Sequence, residues 1–291
     1  MVTSEMPDEN YYNVSILVLL YNKEVINSVT LNTIISSNVK FINCKLVIWN
    51  NGPSPLCHKD IKPFQDLGLM VVIKETLTNE SLAKIYNKFI AMQFSHKYVF
   101  LDDDSTLNSV YLEETLLASK DDVTIPMIRF NGEIVGPLCN SGIIEHPQRI
   151  SGQDKVTAIG TGIIVGSKVI GKISDKYDSV FDEKFYLYGV DTTFFFRTHN
   201  ISQVEFNVIE GFEHSLSRLE KESEEKSYFR MKERTYAYAL LIRYYKPLFV
   251  SCYFFFRTLL STFVKILLFK RNSILLTDFL KAFIFGKHYR S

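Results

Sequence analysis

Residues 14 to 21, VSILVLLY, form an unbroken apolar run rich in branched side chains, and Asn22 ends it. A strand covered on one face alternates apolar and polar positions, so a continuous run predicts a strand buried on both faces, as in a parallel sheet. The signature recurs over 45–49 (KLVIW), closed by Asn50, Asn51, Gly52 and Pro53, over 69–74 (LMVVIK), and over 97–101 (KYVFL), which stops at Asp102. Helical patterns over 24–37 and 80–94 separate these runs. Strand and helix in alternation predict an α/β domain with a mainly parallel, mixed sheet of Rossmann-like type. Residues 123–171 hold several Gly-punctuated apolar segments, IGTGIIVG among them, which predict later strands with loops. From Glu220 the pattern turns helical and charged, and an aromatic, apolar stretch runs from Tyr236 almost to the end. The expected division is a catalytic-type α/β domain over 1–219 and a helical region over 220–291.

Open sheets of this kind bind ligands outside the carboxyl ends of their strands, which directs attention to Tyr21 and Asn22, to Asn50 and Asn51, and to Asp102, Asp103 and Asp104. The last three repel one another unless a cation joins them. Mg²⁺ and Mn²⁺ take hard oxygen ligands, and an Asp-x-Asp pair at a strand end offers two of them while substrate phosphates supply others. Asp102 and Asp104 are the candidate ligands. A solvated acidic turn capping the next helix through Asp104 or Ser105 would use the same residues. The second signal is FDEKFYLYGVDTTFFFR, residues 181–197, where Asp191 stands among apolar and aromatic neighbours. Burial raises a carboxyl's pKa and makes it a stronger base, suited to deprotonating a hydroxyl. The same residue would also begin a helix well. His214, after QVEFNVIEGF, reads either as a ligand or as an ordinary satisfied histidine, and Arg230 and Arg234 sit in a charged helical stretch where most cations are simply solvated.

Charge changes the picture at one end only. Lys and Arg total 33 against 32 Asp and Glu, so nucleic acid is not an expected partner. From residue 248 onward, however, seven cations face Asp278 alone. Within 248–269, Arg257, Ser261 and Lys265 fall within about 80° of one another on a helix at ~100° per residue, with Thr258 and Thr262 beside them. The remainder is largely Phe, Leu, Ile and Val. A broad apolar surface with a narrow cationic stripe predicts a helix lying in a membrane interface, and SILLTDFLKAFIFGKHYR, residues 273–290, repeats the character. Packing of both helices on the catalytic domain or on a second subunit is the competing arrangement. The four cysteines lack paired spacing, which predicts buried thiols in a reducing compartment, and MVTSEMPDENYYN lacks the basic-then-apolar form of an export signal. The expected location is the cytoplasm, at the inner face of the cell membrane.

The ordered series VSILVLLYN, KLVIWNNG, NESLAKIYN, YVFLDDDST, GTGIIVG, FDEKFYLYGVD and EHSLS resembles the family 2 glycosyltransferases of GT-A fold, and among them the bacterial rhamnosyltransferase-like branch, over roughly residues 13–236. The resemblance implies that Asp102 and Asp104 hold the metal and diphosphate, with Asp103 in the same motif, that Asp191 is the general base, and that His214 helps hold the metal. It further implies that Arg234 faces the phosphates, that Asn79, Leu82, Ala83 and Asn87 lie on the helix closing over the nucleotide sugar, and that Tyr21, Asn22 and Asn50 border the nucleotide. Where the family pattern places an aspartate that reads the pyrimidine's imino proton, this chain has Asn50, whose amide oxygen accepts that bond without charge assistance. The implied activity is inverting transfer of a sugar, preferably L-rhamnose from dTDP-rhamnose or else another sugar from a UDP-sugar, with Mg²⁺ or Mn²⁺ as cofactor. The implied acceptor is a glycan or polyprenyl-diphosphate-linked glycan of bacterial surface polysaccharide such as O-antigen or capsule. A metal-dependent nucleotidyltransferase and a non-catalytic membrane-associated interaction protein are the alternatives; the first lacks a Gly-rich, cation-bearing phosphate loop after the first strand.

Overall fold

The computed structural model describes residues 11–215, 224–270 and 272–291, which fall into two compact units. The first holds the described residues of 1–80, 85–180 and 197–216; the second holds 81–84, 181–196 and those from 217 onward.

The first unit is built on a mixed sheet. Strands β1 (Tyr12–Leu20), β2 (Cys44–Asn50), β3 (Leu69–Glu75) and β4 (Ser95–Asp102) run parallel in the spatial order β4-β1-β2-β3. Leu17 and Leu19 on one face of β1 and Val18 and Leu20 on the other are all buried, which is why the run carries no alternation. Beyond β4 the chain forms β5 (Ser105–Thr106), β6 (Val123–Phe130), β7 (Glu133–Gly136), β8 (Leu138–Cys139), β9 (Gly142–Ile143), β10 (Gln148–Ile150), β11 (Val156–Thr157), β12 (Ile163–Gly166) and β13 (Phe206–His214). The large sheet continues from β4 through β12, β6 and β13 to β10; β12 is antiparallel to both neighbours, while β13 is parallel to β6. Strands β8, β9 and β11 make a separate small sheet.

The helices are α1 (Val29–Ser36), α2 (Lys62–Asp66), α3 (Leu82–Ala91), α4 (Ser109–Leu117), α5 (Ser167–Tyr177), α6 (Val190–His199), α7 (Glu224–Tyr245), α8 (Leu248–Leu267) and α9 (Leu276–Phe285). The helix expected over 24–37 is a 3₁₀ turn at Val25–Asn27 followed by α1, because the Ser28 side chain accepts the Leu31 N–H and starts a new helix there. The cap of α4 is Asn108, which accepts from Tyr111 N–H at 2.8 Å, so Asp104 and Ser105 do not cap that helix.

A register shift in β13 between Ile209 and Phe212 sets the strand's end. A Cβ at Gly211 would lie 1.7 Å from the Met127 carbonyl oxygen, so only glycine fits so close to β6. Past this bulge Glu213 and His214 pair with Thr106 and Ser105 of β5.

In the second unit, Tyr236, Ala239 and Ile242 of α7 share a core with Phe279 and Ala282 of α9. Helix α9 turns one apolar side to α7, the competing arrangement for this segment, and buries Asp278 beside the Tyr236 hydroxyl at 3.2 Å, while Ile284 and Phe285 stay exposed. In α8 the inward side is mixed: Ser251, Thr258 and Thr262 are buried, Thr258 meets the Tyr238 hydroxyl at 3.2 Å, and Phe254, Phe255 and Leu259 pack partly buried against the same core. The thiols also depart from expectation, since Cys44 is buried but Cys57 and Cys252 are exposed, and all four are free.

Candidate active site

Asp102 is the last residue of β4, and Asp103 and Asp104 make the turn into β5. Hydroxyls shape that turn. Thr30, in the first turn of α1, donates through Oγ1 to the Asp102 carbonyl at 2.5 Å and accepts the Ser105 N–H at 2.9 Å. Thr161 accepts the Asp102 N–H at 3.1 Å and lies 3.2 Å from the Ser105 hydroxyl. On the other side the β5–β13 pairing delivers His214, whose Nδ1 lies 3.1 Å from Ser105 Oγ and 3.3 Å from Asp104 Oδ1, while Nε2 is 4.0 Å from Asp102 Oδ2. One ligand atom each from Asp102, Asp104 and His214 falls within 4.8 Å of the others.

Asp104 Oδ1 is buried and, among the described residues, has the His214 Nδ1 contact at 3.3 Å but no hydrogen bond, a costly state for a carboxylate that a bound cation would relieve. Burial raises the Asp104 carboxyl above its ordinary value, and His214 opposes the rise while Asp103 adds to it. Two carboxylates and an imidazole are a donor set able to hold a divalent cation. The donor set thus fits the divalent ion expected from the sequence. Asp103 faces a different partner, the Lys23 ammonium at 2.6 Å.

The other expected residues fall into several environments. Tyr21 stands half exposed after β1, and Asn22 follows with a positive φ of 51°, its N–H on the Gly52 carbonyl at 2.6 Å. Asn50 ends β2 as expected, but its amide is already engaged: Oδ1 accepts the Gly52 N–H at 3.0 Å, and Nδ2 donates to the Ser54 carbonyl at 2.8 Å. The oxygen keeps a second lone pair, but the side chain is buried in this structure. Asn79 accepts from Asn51 Nδ2 at 3.3 Å, and Asn51 also clamps the backbone of Glu80 through both ends of its amide. Asn87 lies half-buried on α3.

Leu82, Ala83, Asp191 and Arg234 belong to the second unit. Leu82 N–H bonds the Tyr186 carbonyl at 2.8 Å, and Ala83 is fully buried. Asp191 occupies the first turn of α6, half-buried where full burial was expected, and accepts the Thr192 N–H at 2.7 Å. Arg234 of α7 lies 4.8 Å over the Tyr188 ring and donates to its hydroxyl at 3.2 Å. Sequence reasoning missed Thr30, Thr161 and Lys23; Thr161 stands between the two glycines of GTG, and nothing in that spacing marks its role.

No family model matches the chain, and no curated protein matches it in sequence. Solved structures do. The crystal structure of S. aureus TarS residues 1–349 aligns with 80% of this chain and 66% of its own length, at 14% identity and a TM-score of 0.51. The same fragment in complex with UDP-GlcNAc aligns with 79% of this chain at 17% identity and a TM-score of 0.50. The chain thus spans slightly less than two thirds of the structures it matches. What it shares with them is a GT-A-like α/β fold with a mostly parallel sheet, followed here by C-terminal helices.

Proposed function

We propose that the chain is an inverting, metal-assisted glycosyltransferase that moves a sugar from a nucleoside diphosphate to a hydroxyl of a glycan or lipid-linked glycan. The observation that carries the reading is the convergence of Asp102, Asp104 and His214 at the carboxyl end of β4, where open α/β sheets bind their ligands. The chemistry a divalent ion supplies when held there is neutralisation of charge on the leaving diphosphate. Arg234 adds a fixed cation toward the phosphates, and Asp191 accepts the proton of the attacking hydroxyl. Attack from the face opposite the leaving group inverts the anomeric centre.

The resemblance of the sequence favours dTDP-rhamnose, while likeness to a structure solved with UDP-GlcNAc supports a UDP-sugar. Asn50 accepts the imino proton that uracil and thymine share, so it does not separate the two. The catalytic work belongs to residues 1–219, and residues 220–291 keep the enzyme at the inner face of the cell membrane, beside a polyprenyl-diphosphate-linked acceptor of surface polysaccharide.

The test is thermal stabilisation by UDP-, dTDP- and GDP-sugars with and without Mg²⁺ or Mn²⁺, because a ligand of the folded state raises its melting temperature. A uridine or thymidine donor should stabilise only with the ion, and Asp104→Ala should remove that dependence. Asp191→Asn should cut transfer by about 10²-fold or more while donor binding persists. Ion-independent stabilisation would overturn the metal's role, and undiminished transfer by Asp191→Asn would overturn the base.

A further inference from the structure

A cavity of about 190 Å³ opens in the C-terminal helical unit, lined by Arg257, Thr258, Ser261, Thr262 and Lys265 of α8, by Tyr238 of α7, and by Asn272, Ser273 and Ile274. Two cations and six side chains able to donate a hydrogen bond from hydroxyl or amide groups share this wall, and no carboxylate is among the described residues that line it. Neither Arg257 nor Lys265 forms an ion pair with another described residue. Such a wall is complementary to a phosphate, whose oxygens accept from cations and hydroxyls alike.

The opposite side of the same helix indicates what carries that phosphate. Phe249, Tyr253, Phe256, Leu260, Phe263 and Leu267 recur at alternating spacings of four and three, so they form one stripe, and each is more than half exposed. A helix of a water-soluble assembly turns its apolar side inward; α8 turns in a mixed side, burying Ser251, Thr258 and Thr262 beside partly buried Phe254, Phe255 and Leu259, and leaves the apolar stripe uncovered. Its 20 residues and mean hydropathy of 1.4 are long and apolar enough to span a membrane. Spanning would drag Arg257 and Lys265 through hydrocarbon, whereas lying in the interface lets the apolar stripe enter lipid while both cations stay at headgroup depth.

We infer that the α8 cavity is a binding site for the phosphate monoester headgroup of an anionic membrane lipid, occupied while the apolar stripe of α8 rests in the bilayer. The inference is independent of the transferase reading, since binding to lipid requires neither donor nor metal.

The experiment is co-sedimentation of the full chain with vesicles of phosphatidylcholine alone or mixed with phosphatidic acid. Binding should require phosphatidic acid. Each cation close to an anionic surface contributes about fivefold, so Arg257→Gln with Lys265→Gln should weaken partitioning about thirtyfold. Ser261→Leu, which fills the cavity without changing charge, should weaken it by a similar factor. Lys281→Gln removes one charge from the exposed side of α9, outside the cavity, and should cost less than twofold. A thermal melt of each variant shows that it is folded. Equal losses for Lys281→Gln and Lys265→Gln would replace the site with diffuse attraction and overturn the inference. So would undiminished binding by Ser261→Leu, equal binding to phosphatidylcholine alone, displacement by millimolar inorganic phosphate with no preference for vesicles, or a dimer in light scattering that covers the stripe.

Discussion

Thr161 is no metal ligand, yet its hydroxyl accepts the Asp102 N–H and meets Ser105, the residue that in turn meets His214. Groups that orient metal ligands typically account for 10–100-fold in affinity, so Thr161→Val should weaken Mn²⁺ binding about tenfold while barely moving the melting temperature. Calorimetric titration with Mn²⁺ and UDP measures it, and an unchanged Kd would mean the acidic turn holds its shape without Thr161. Asp102 and Asp104 were legible because carboxylates crowded at the end of a buried strand demand an explanation. Thr30 and Thr161 were not, because a hydroxyl inside a helix or beside a glycine looks the same whether or not another chain segment reaches it. Asn50 was legible in position only; its bond to the Gly52 N–H comes from a tight loop that spacing does not reveal.

Strands β1, β2 and β4 could be read from their unbroken apolar runs because burial on both faces erases alternation, whereas β3, at the sheet edge, carries such a run although only Leu69 is buried. Residues 131–157 gave no comparable signal, since β7 to β11 are two to four residues long and too short for any period to emerge. Helices α8 and α9 expose the limit of composition: both are apolar with scattered charges, yet α9 buries Phe279 and Ala282 against α7 while α8 brings Phe254 and Phe255 to that core and leaves Phe249, Phe256 and Phe263 outside. The bulge of β13 belongs to this scale as well. Gly211→Ala would force a methyl group into the Met127 carbonyl, so stability should fall by about 2–3 kcal/mol, read as a lower urea midpoint. Because the strand must shift to relieve the clash, Mn²⁺ affinity should fall with it; destabilisation with intact affinity would dissociate the bulge from the placement of His214.

At the scale of the molecule, the C-terminal segment is tied to α7 by a buried ion cluster. Glu233 accepts the Tyr289 hydroxyl at 2.6 Å, with Arg290 at 3.2 Å and His288 at 3.4 Å. Burial by itself would raise the Glu233 carboxyl, but His288, Tyr289 and Arg290 together hold it below its ordinary 4.5. A carboxyl lowered by folding contributes stability that is complete above its unfolded pKa and disappears as pH falls through the folded one. Unfolding by urea should therefore become easier below about pH 4, and Glu233→Gln should flatten that acid limb while costing about 3 kcal/mol at neutral pH. An acid limb that survives the substitution would assign it to other carboxylates. The two-residue ladder between β5 and β13 has its own consequence. It joins Ser105 to a histidine 109 positions downstream, so a nascent chain emerging from the ribosome possesses its acidic half-site long before the imidazole is synthesised. Capture of a divalent ion by all three side chains would then require that β13 has docked, which would couple occupancy of the site to completed folding.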